Sequence, residues 1–170
     1  MKRATYLMCC LAIGSAALLF APKSSAQATD SDKKFLTDVS QGNYDEIQLG
    51  KLAEQKATNP DVKNFGRRMV TDHTKLGQTM KPYAEQWGIE APTALSSDAQ
   101  KEYDKLQGMS GNDFDKAYIS DMVSDHSKVL DAFTTEVKDT KDAKFRTTVE
   151  HGKSVVAAHK NMAYDLKKKL

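Results

Sequence analysis

One phrase occurs twice in this chain of 170 residues: Met69-Val70-Thr71-Asp72-His73-Thr74-Lys75-Leu76 and Met122-Val123-Ser124-Asp125-His126-Ser127-Lys128-Val129. A near-repeat of that length constrains the fold more than any other feature, because repeated local sequence means repeated local structure. Both copies fall in runs with apolar residues three and four apart, the spacing of one helix face. Each copy therefore sets a histidine, His73 or His126, on the inner stripe of a helix.

The remaining chain supplies the helices against which those two pack. Thr29 to Asp32 is rich in residues that cap helices, and the spacing predicts a first helix from Lys33 to Ala57. Its stripe is Phe35, Val39, Gly42, Glu46, Leu49 and Ala53. Asn59-Pro60-Asp61 stops that helix and starts a second, expected over Asp61 to Trp87, with Pro82 as a point where it kinks or ends early. Gly88 to Gly111 reads as a crossover connection holding a short helix over Asp98 to Gln107. A third long helix is expected over Asn112 to Lys138, striped by Ile119, Met122, His126, Val129 and Phe133. A fourth, Asp142 to Leu170, is striped by Phe145, Val149, Gly152, Val156, His159, Ala163 and Leu166. The pattern contains no strand signal, so the expected class is all-α: a four-helix bundle with a long connection between helices 2 and 3.

Residues 1–28 read as a secretory signal peptide: Lys2 and Arg3, an apolar run from Leu7 to Phe20, then small residues at Ser24-Ser25-Ala26 and Ala26-Gln27-Ala28. An uncleaved anchor and a lipoprotein are the alternatives, and Cys9 and Cys10 stand too early in the run for lipidation. The expected domain is 29–170, exported to the periplasm of a double-membraned cell and otherwise extracellular. Cleavage removes the 2 cysteines, and with them any disulfide, thiolate metal site or cysteine nucleophile. Removing Lys2, Arg3 and Lys23 from the 25 basic residues leaves 22 against 23 acidic ones, which gives no basic footprint for nucleic acid. The mature chain has no membrane-spanning run; another envelope protein or a second copy of the chain are the partner classes left open.

Each long stripe carries one ionisable group near its middle: Glu46, His73, His126 and His159. Mid-helix groups share a level whichever way each helix runs, so the four are expected to meet in the core. Burying such groups without partners costs several kcal/mol. Two explanations compete. In one, the four ligate a single zinc, iron, manganese or copper ion, as facing helices of bundles often do. In the other they form a metal-free hydrogen-bonded network. Asp72 and Asp125, beside the repeat histidines, are candidates to orient an imidazole, with an exposed carboxylate the plainer reading. Tyr44 and Tyr118 are candidates to reach a core polar group through their hydroxyls, His151 is expected at the surface, and Gly42, Gly66 and Gly152 are expected where helices approach closely.

Phe35 to Ala57, with Gly42-Asn43, Glu46 and Leu49-Gly50-Lys51-Leu52-Ala53, resembles the opening of a family of exported bacterial ferritin-like proteins known as domain of unknown function 4142. The resemblance continues through Val62-Lys63-Asn64-Phe65, Met69 to His73, Phe114-Asp115-Lys116-Ala117-Tyr118, His126 and His159, and covers nearly all of the mature chain. It implies a ferritin-like four-helix bundle outside the cytoplasm, with no established activity. Di-iron bundles carry Glu-x-x-His, whereas Val70, Val123 and Val156 stand three residues before the histidines here, so a two-metal carboxylate site is not expected. Lys153-Ser154-Val155 also departs from the proline and leucine that the family tends to place before its last histidine. No nucleophile elbow, phosphate loop or dinucleotide fingerprint is present. The leading expectation is a non-enzymatic bundle holding one transition metal in a structural, buffering or stress role. A metal-free structural or partner-binding envelope protein comes second, and a mononuclear redox enzyme third.

Overall fold

The structure is a computed structural model and describes residues 27–170; the expected signal peptide lies almost wholly outside the described residues. Helix α1, Asp30–Lys56, begins where Thr29 and Asp32 cap each other. The Thr29 hydroxyl accepts from the Asp32 N–H at 3.1 Å, and the Asp32 carboxylate accepts from the Thr29 N–H at 2.7 Å. Such a reciprocal pair satisfies two amide donors that the first turn leaves free. Asn59 caps α2, Pro60–Trp87, with Pro60 in the first turn and left-handed Gly88 (φ 70°) ending the helix. Ser96 caps α3, Ser97–Gln107, and Asp142 caps α5, Ala143–Lys167, whose partner α4 runs Gly111–Asp139. The four long helices and the short helix in the connection are those expected from the sequence. The second helix runs unbroken through Pro82, which faces solvent, as does Gln78, whose carbonyl loses its helical donor to that proline. The last helix ends at Lys167, short of Leu170.

Helices α1 and α2 form one intimate pair and α4 and α5 the other, joined by looser α2–α5 and α1–α4 seams. Two buried carboxylates fix how the pairs meet. Asp115, at the start of α4, accepts from the Thr58 hydroxyl at 2.7 Å and the Asn59 N–H at 2.8 Å, in the α1–α2 turn. Asp45, in α1, accepts from the Ser96 hydroxyl at 2.7 Å and the Ser96 N–H at 3.0 Å, pinning the crossover to the bundle. Charge-assisted bonds of this kind are about twice as strong as neutral ones. The start of α4 therefore lies beside the end of α1, so these helices run antiparallel and α2 and α4 run the same way. That geometry requires the long connection.

The core divides into two apolar clusters. One contains Leu49, Leu52, Phe65, Met69, Leu106, Phe114, Tyr118, Ile119 and Met122; the other contains Phe35, Leu36, Leu76, Met80, Phe133, Phe145, Val149 and Val156. On every long helix the level between them is the level of the singled-out polar residue. The glycine expectations divide. A Cβ at Gly66 would lie 2.9 Å from the Gly50 carbonyl oxygen, and one at Gly152 would lie 2.5 Å from the Phe133 ring, so close approach explains both. Gly50 faces Gly66 and has the same role. At Gly42 a Cβ would meet nothing within 4 Å, so close approach does not explain that glycine.

A second buried acid pair sits at the far end, where α1 starts and α4 stops. Asp32 and Glu136 are 1% and 4% exposed, and Asp32 Oδ1 and Glu136 Oε1 are buried without a hydrogen-bond partner. Burial, then the hydrogen bond to Asp32 and its charge, push the Glu136 carboxyl up to about 7. Burial alone would raise Asp32 too, but hydrogen bonds from Glu136, Thr29 and Thr140 outweigh it and hold that carboxyl low. Of the two, Glu136 is therefore the carboxyl that takes up a proton as pH falls through about 7.

Gly66→Ala should cost about 1–3 kcal/mol in urea unfolding through overpacking, whereas Gly42→Ala should stabilise by about 0.5–1 kcal/mol through helix propensity. A raised carboxyl stabilises the fold below its unfolded value of 4.5, and that stabilisation is lost as pH rises through about 7. Glu136→Gln keeps a donor to Asp32 without a proton to lose. The stability difference between variant and parent should shift in the variant's favour by about 1–2 kcal/mol from pH 4.5 to pH 8.

Candidate metal centre

The three stripe histidines converge. His73, His126 and His159 are 5%, 3% and 0% exposed, and one ring nitrogen of each lies within 4.8 Å of the others. Their ring centroids are 5.2 to 5.8 Å apart. Each imidazole is held from outside by its other nitrogen. His73 Nδ1 donates to Asn43 Oδ1 at 3.0 Å, His126 Nδ1 donates to the Met122 carbonyl at 3.0 Å, and His159 Nε2 donates to Asp72 Oδ2 at 3.1 Å. Arg68 Nε binds the same Asp72 oxygen at 3.1 Å, so a guanidinium steadies the carboxylate that orients His159.

These outer partners settle the tautomers. A carbonyl and a carboxylate only accept, and Asn43 presents its oxygen, so each neutral ring spends its single N–H outward. His73 Nε2, His126 Nε2 and His159 Nδ1 then carry lone pairs, and all three are buried with no hydrogen-bond partner. Nor can protons fill the gap at neutral pH. Burial, then the charges of His126 and His159, would hold His73 well below the usual imidazole range. Burial, then His159, brings His126 down to about 4, against the opposing pull of the Met122 carbonyl. Burial lowers His159 as well, in spite of Asp72. Three neutral imidazoles with inward lone pairs and outward acceptors make the donor set of a transition-metal site, with the outer partners such a site needs. Tetrahedral zinc would hold its nitrogens roughly 3.4 Å apart, so closing on an ion takes a modest contraction of the rings.

Glu46 stands beside this cluster rather than in it. Its Oε1 is 3.8 Å from His126 Nδ1, the nitrogen already donating to Met122, and its Oε2 is buried without a partner. Burial first, then the charges of Asp125, Glu102 and Asp45, push its carboxyl well above the ordinary range. Asp72 reaches a histidine, but it is His159 across the α2–α5 seam and not its sequence neighbour His73. Asp125 reaches none: it pairs with Lys128 at 3.0 Å. Tyr118 is fully buried with its hydroxyl unpartnered, near enough to Glu46 and Glu102 that their charges add to burial in raising its phenol. The Tyr44 hydroxyl turns outward to the Thr93 carbonyl at 3.2 Å, and His151 is exposed.

Sequence reasoning missed Asn43 and the Met122 carbonyl. Asn43 adjoins the stripe position Gly42 and belongs to the Gly42-Asn43 motif, so a signal exists. The Met122 carbonyl carried none, since every helical residue has a carbonyl four positions before it.

A family model described as "Domain of unknown function (DUF4142)" matches residues 18–166. No curated protein and no solved structure matches the chain.

A group whose folded value is depressed stabilises the fold above its unfolded value, and the stabilisation is lost as pH falls. Metal-free protein should therefore weaken below pH 6.5 as the unfolded histidines take up protons. His126→Leu should remove part of that dependence. The stability gap between parent and variant should change by about 2–3 kcal/mol between pH 7 and pH 4, measured by urea unfolding at each pH in the presence of a chelator.

Proposed function

From the premise that the chain belongs to the DUF4142 family, we propose that it is an exported helical bundle that binds one divalent transition-metal ion. His73, His126 and His159 ligate the ion, and Glu46, which borders the cluster, closes the fourth position only by swinging inward and giving up its proton. The observation that carries this reading is the set of three buried nitrogens without partners, His73 Nε2, His126 Nε2 and His159 Nδ1. A metal-free network is the weaker alternative, because lone pairs cannot hydrogen-bond to one another. A trapped water donates only two protons, so the third nitrogen would need the Glu46 proton, and that carboxyl lies nearest the outer nitrogen of His126. Leaving a buried acceptor unmade costs about 1–3 kcal/mol.

Imidazole donors suit zinc, iron and copper, and a carboxylate extends the range to manganese. The role is holding the ion, for structure, buffering or envelope protection. Val70, Val123 and Val156 favour this over two-metal oxygen chemistry, since they supply no ligand where di-iron bundles have glutamate. Export is supported by the basic start, short apolar run and small residues of the first 28 positions. Among the described residues no helix is long and apolar enough to cross a membrane.

Elemental analysis of the untagged domain, reloaded with zinc, iron, manganese or copper in turn, should find about one equivalent of a preferred ion. His73→Ala with His126→Ala should abolish binding, and Asp72→Asn should weaken it about 10–100-fold by loosening His159. A parent that retains none of the four ions would return the cluster to a metal-free role in packing or partner binding.

A further inference from the structure

Gly42 sits in the middle of α1, where glycine costs about 1 kcal/mol relative to alanine. Unlike Gly50, Gly66 and Gly152, it has no packing reason to be there, since a Cβ would meet nothing within 4 Å. What it borders is a cavity of about 150 Å³ in the seam between α1 and α4. The inner wall of the cavity includes His73, His126 and Glu46, and its rim includes Gly42 on α1 with Val129 and Ala132 on α4. Val129 was expected to face inward as part of the α4 stripe. It is instead 37% exposed, one of two large apolar residues left so open among the described residues. Cavity, glycine and exposed valine thus coincide on the looser α1–α4 seam, at the level of the histidines.

We propose that this cavity is a binding site for one small neutral molecule with an apolar body and a single nitrogen donor, seated against His73, His126 and Glu46. Size sets the upper limit: a cavity of about 150 Å³ accommodates a molecule the size of benzene. Phe35, Val39, Leu76, Phe133 and Val156 supply the apolar part of the wall, which favours an uncharged body over a charged one. Asp38, solvent-exposed and paired with Lys34, and Asn43, whose oxygen is bonded to His73, also line it, so a polar atom deep in the cavity finds its partners at the imidazoles and the Glu46 carboxyl. The inference rests on the metal reading in one respect: with an ion bound, the ligand's nitrogen takes the fourth position in place of Glu46. A five-membered azole meets all these requirements.

Pyrazole is a suitable probe, because it is small, uncharged at neutral pH and carries a ligating nitrogen. Cobalt(II)-loaded protein should change its visible spectrum on titration with pyrazole, and cavity resonances of the metal-free protein should shift as well. Gly42→Leu fills open space and should fold normally, bind cobalt as the parent does, and weaken pyrazole by roughly tenfold or more through steric exclusion. Ala132→Leu narrows the rim from α4 and should act in the same direction. Cobalt binding without any pyrazole response, or a response equal in parent and Gly42→Leu, would overturn the ligand site and leave the metal centre standing. If no cobalt binds, pyrazole shifts in the metal-free protein that Gly42→Leu abolishes would uphold the ligand site without the ion, and their absence would overturn it.

Discussion

An imidazole has one proton to give at neutral pH, and where it gives that proton determines what its other nitrogen can do. In this bundle all three buried rings give it outward, to Asn43, to the Met122 carbonyl and to Asp72. The inward side is left with three lone pairs, none of which has a hydrogen-bond partner. Hydrophobic packing above and below does not relieve this, since it only deepens the desolvation. Much of the surrounding architecture can be understood as what holds that unfavourable arrangement in place: an apolar cluster on either side, a guanidinium behind Asp72, and a helix backbone behind His126.

The strain at the centre is offset at the ends. Asp115 ties the α1–α2 turn to the start of α4, Asp45 ties the crossover to α1, and Asp32 and Glu136 are buried together at the opposite end. These carboxyls fix the relative level of the helices, and so the level at which the four singled-out residues lie. The α1–α4 seam is the exception to close packing. There Gly42 leaves room, Val129 is partly bare, and a cavity reaches the histidines.

How far the sequence reveals this depends on the kind of interaction. Spacing of three and four placed His73, His126 and His159 on inner faces, and their mid-helix positions put them at one level without any knowledge of topology. Glu46 illustrates the limit of that reasoning. Its stripe position is right and it borders the cluster, but its Oε1 lies near the wrong nitrogen of His126. A stripe specifies a face, whereas side-chain reach and rotamer specify the atom. The pairing of Asp72 with His159 was not legible because it crosses from α2 to α5, and no local pattern reports cross-helix distance. Asp125, in the equivalent place of the repeat, faces Lys128 instead. The repeat therefore conserves each histidine's depth but not its outer partner. Gly42 looked like Gly66 and Gly152 in sequence, and only the opposing surface distinguishes a close contact from a void.

Nitrogen-15 NMR of the histidine rings in metal-free protein at pH 7 observes the three imidazole protons directly. The account predicts neutral rings, with His73 and His126 protonated at Nδ1 and His159 at Nε2. One equivalent of zinc should then perturb the three unprotonated nitrogens together. An inward proton on any of the three rings, or an imidazolium signal among them, would contradict the account, because the cluster could then satisfy itself by hydrogen bonding and would not need an ion.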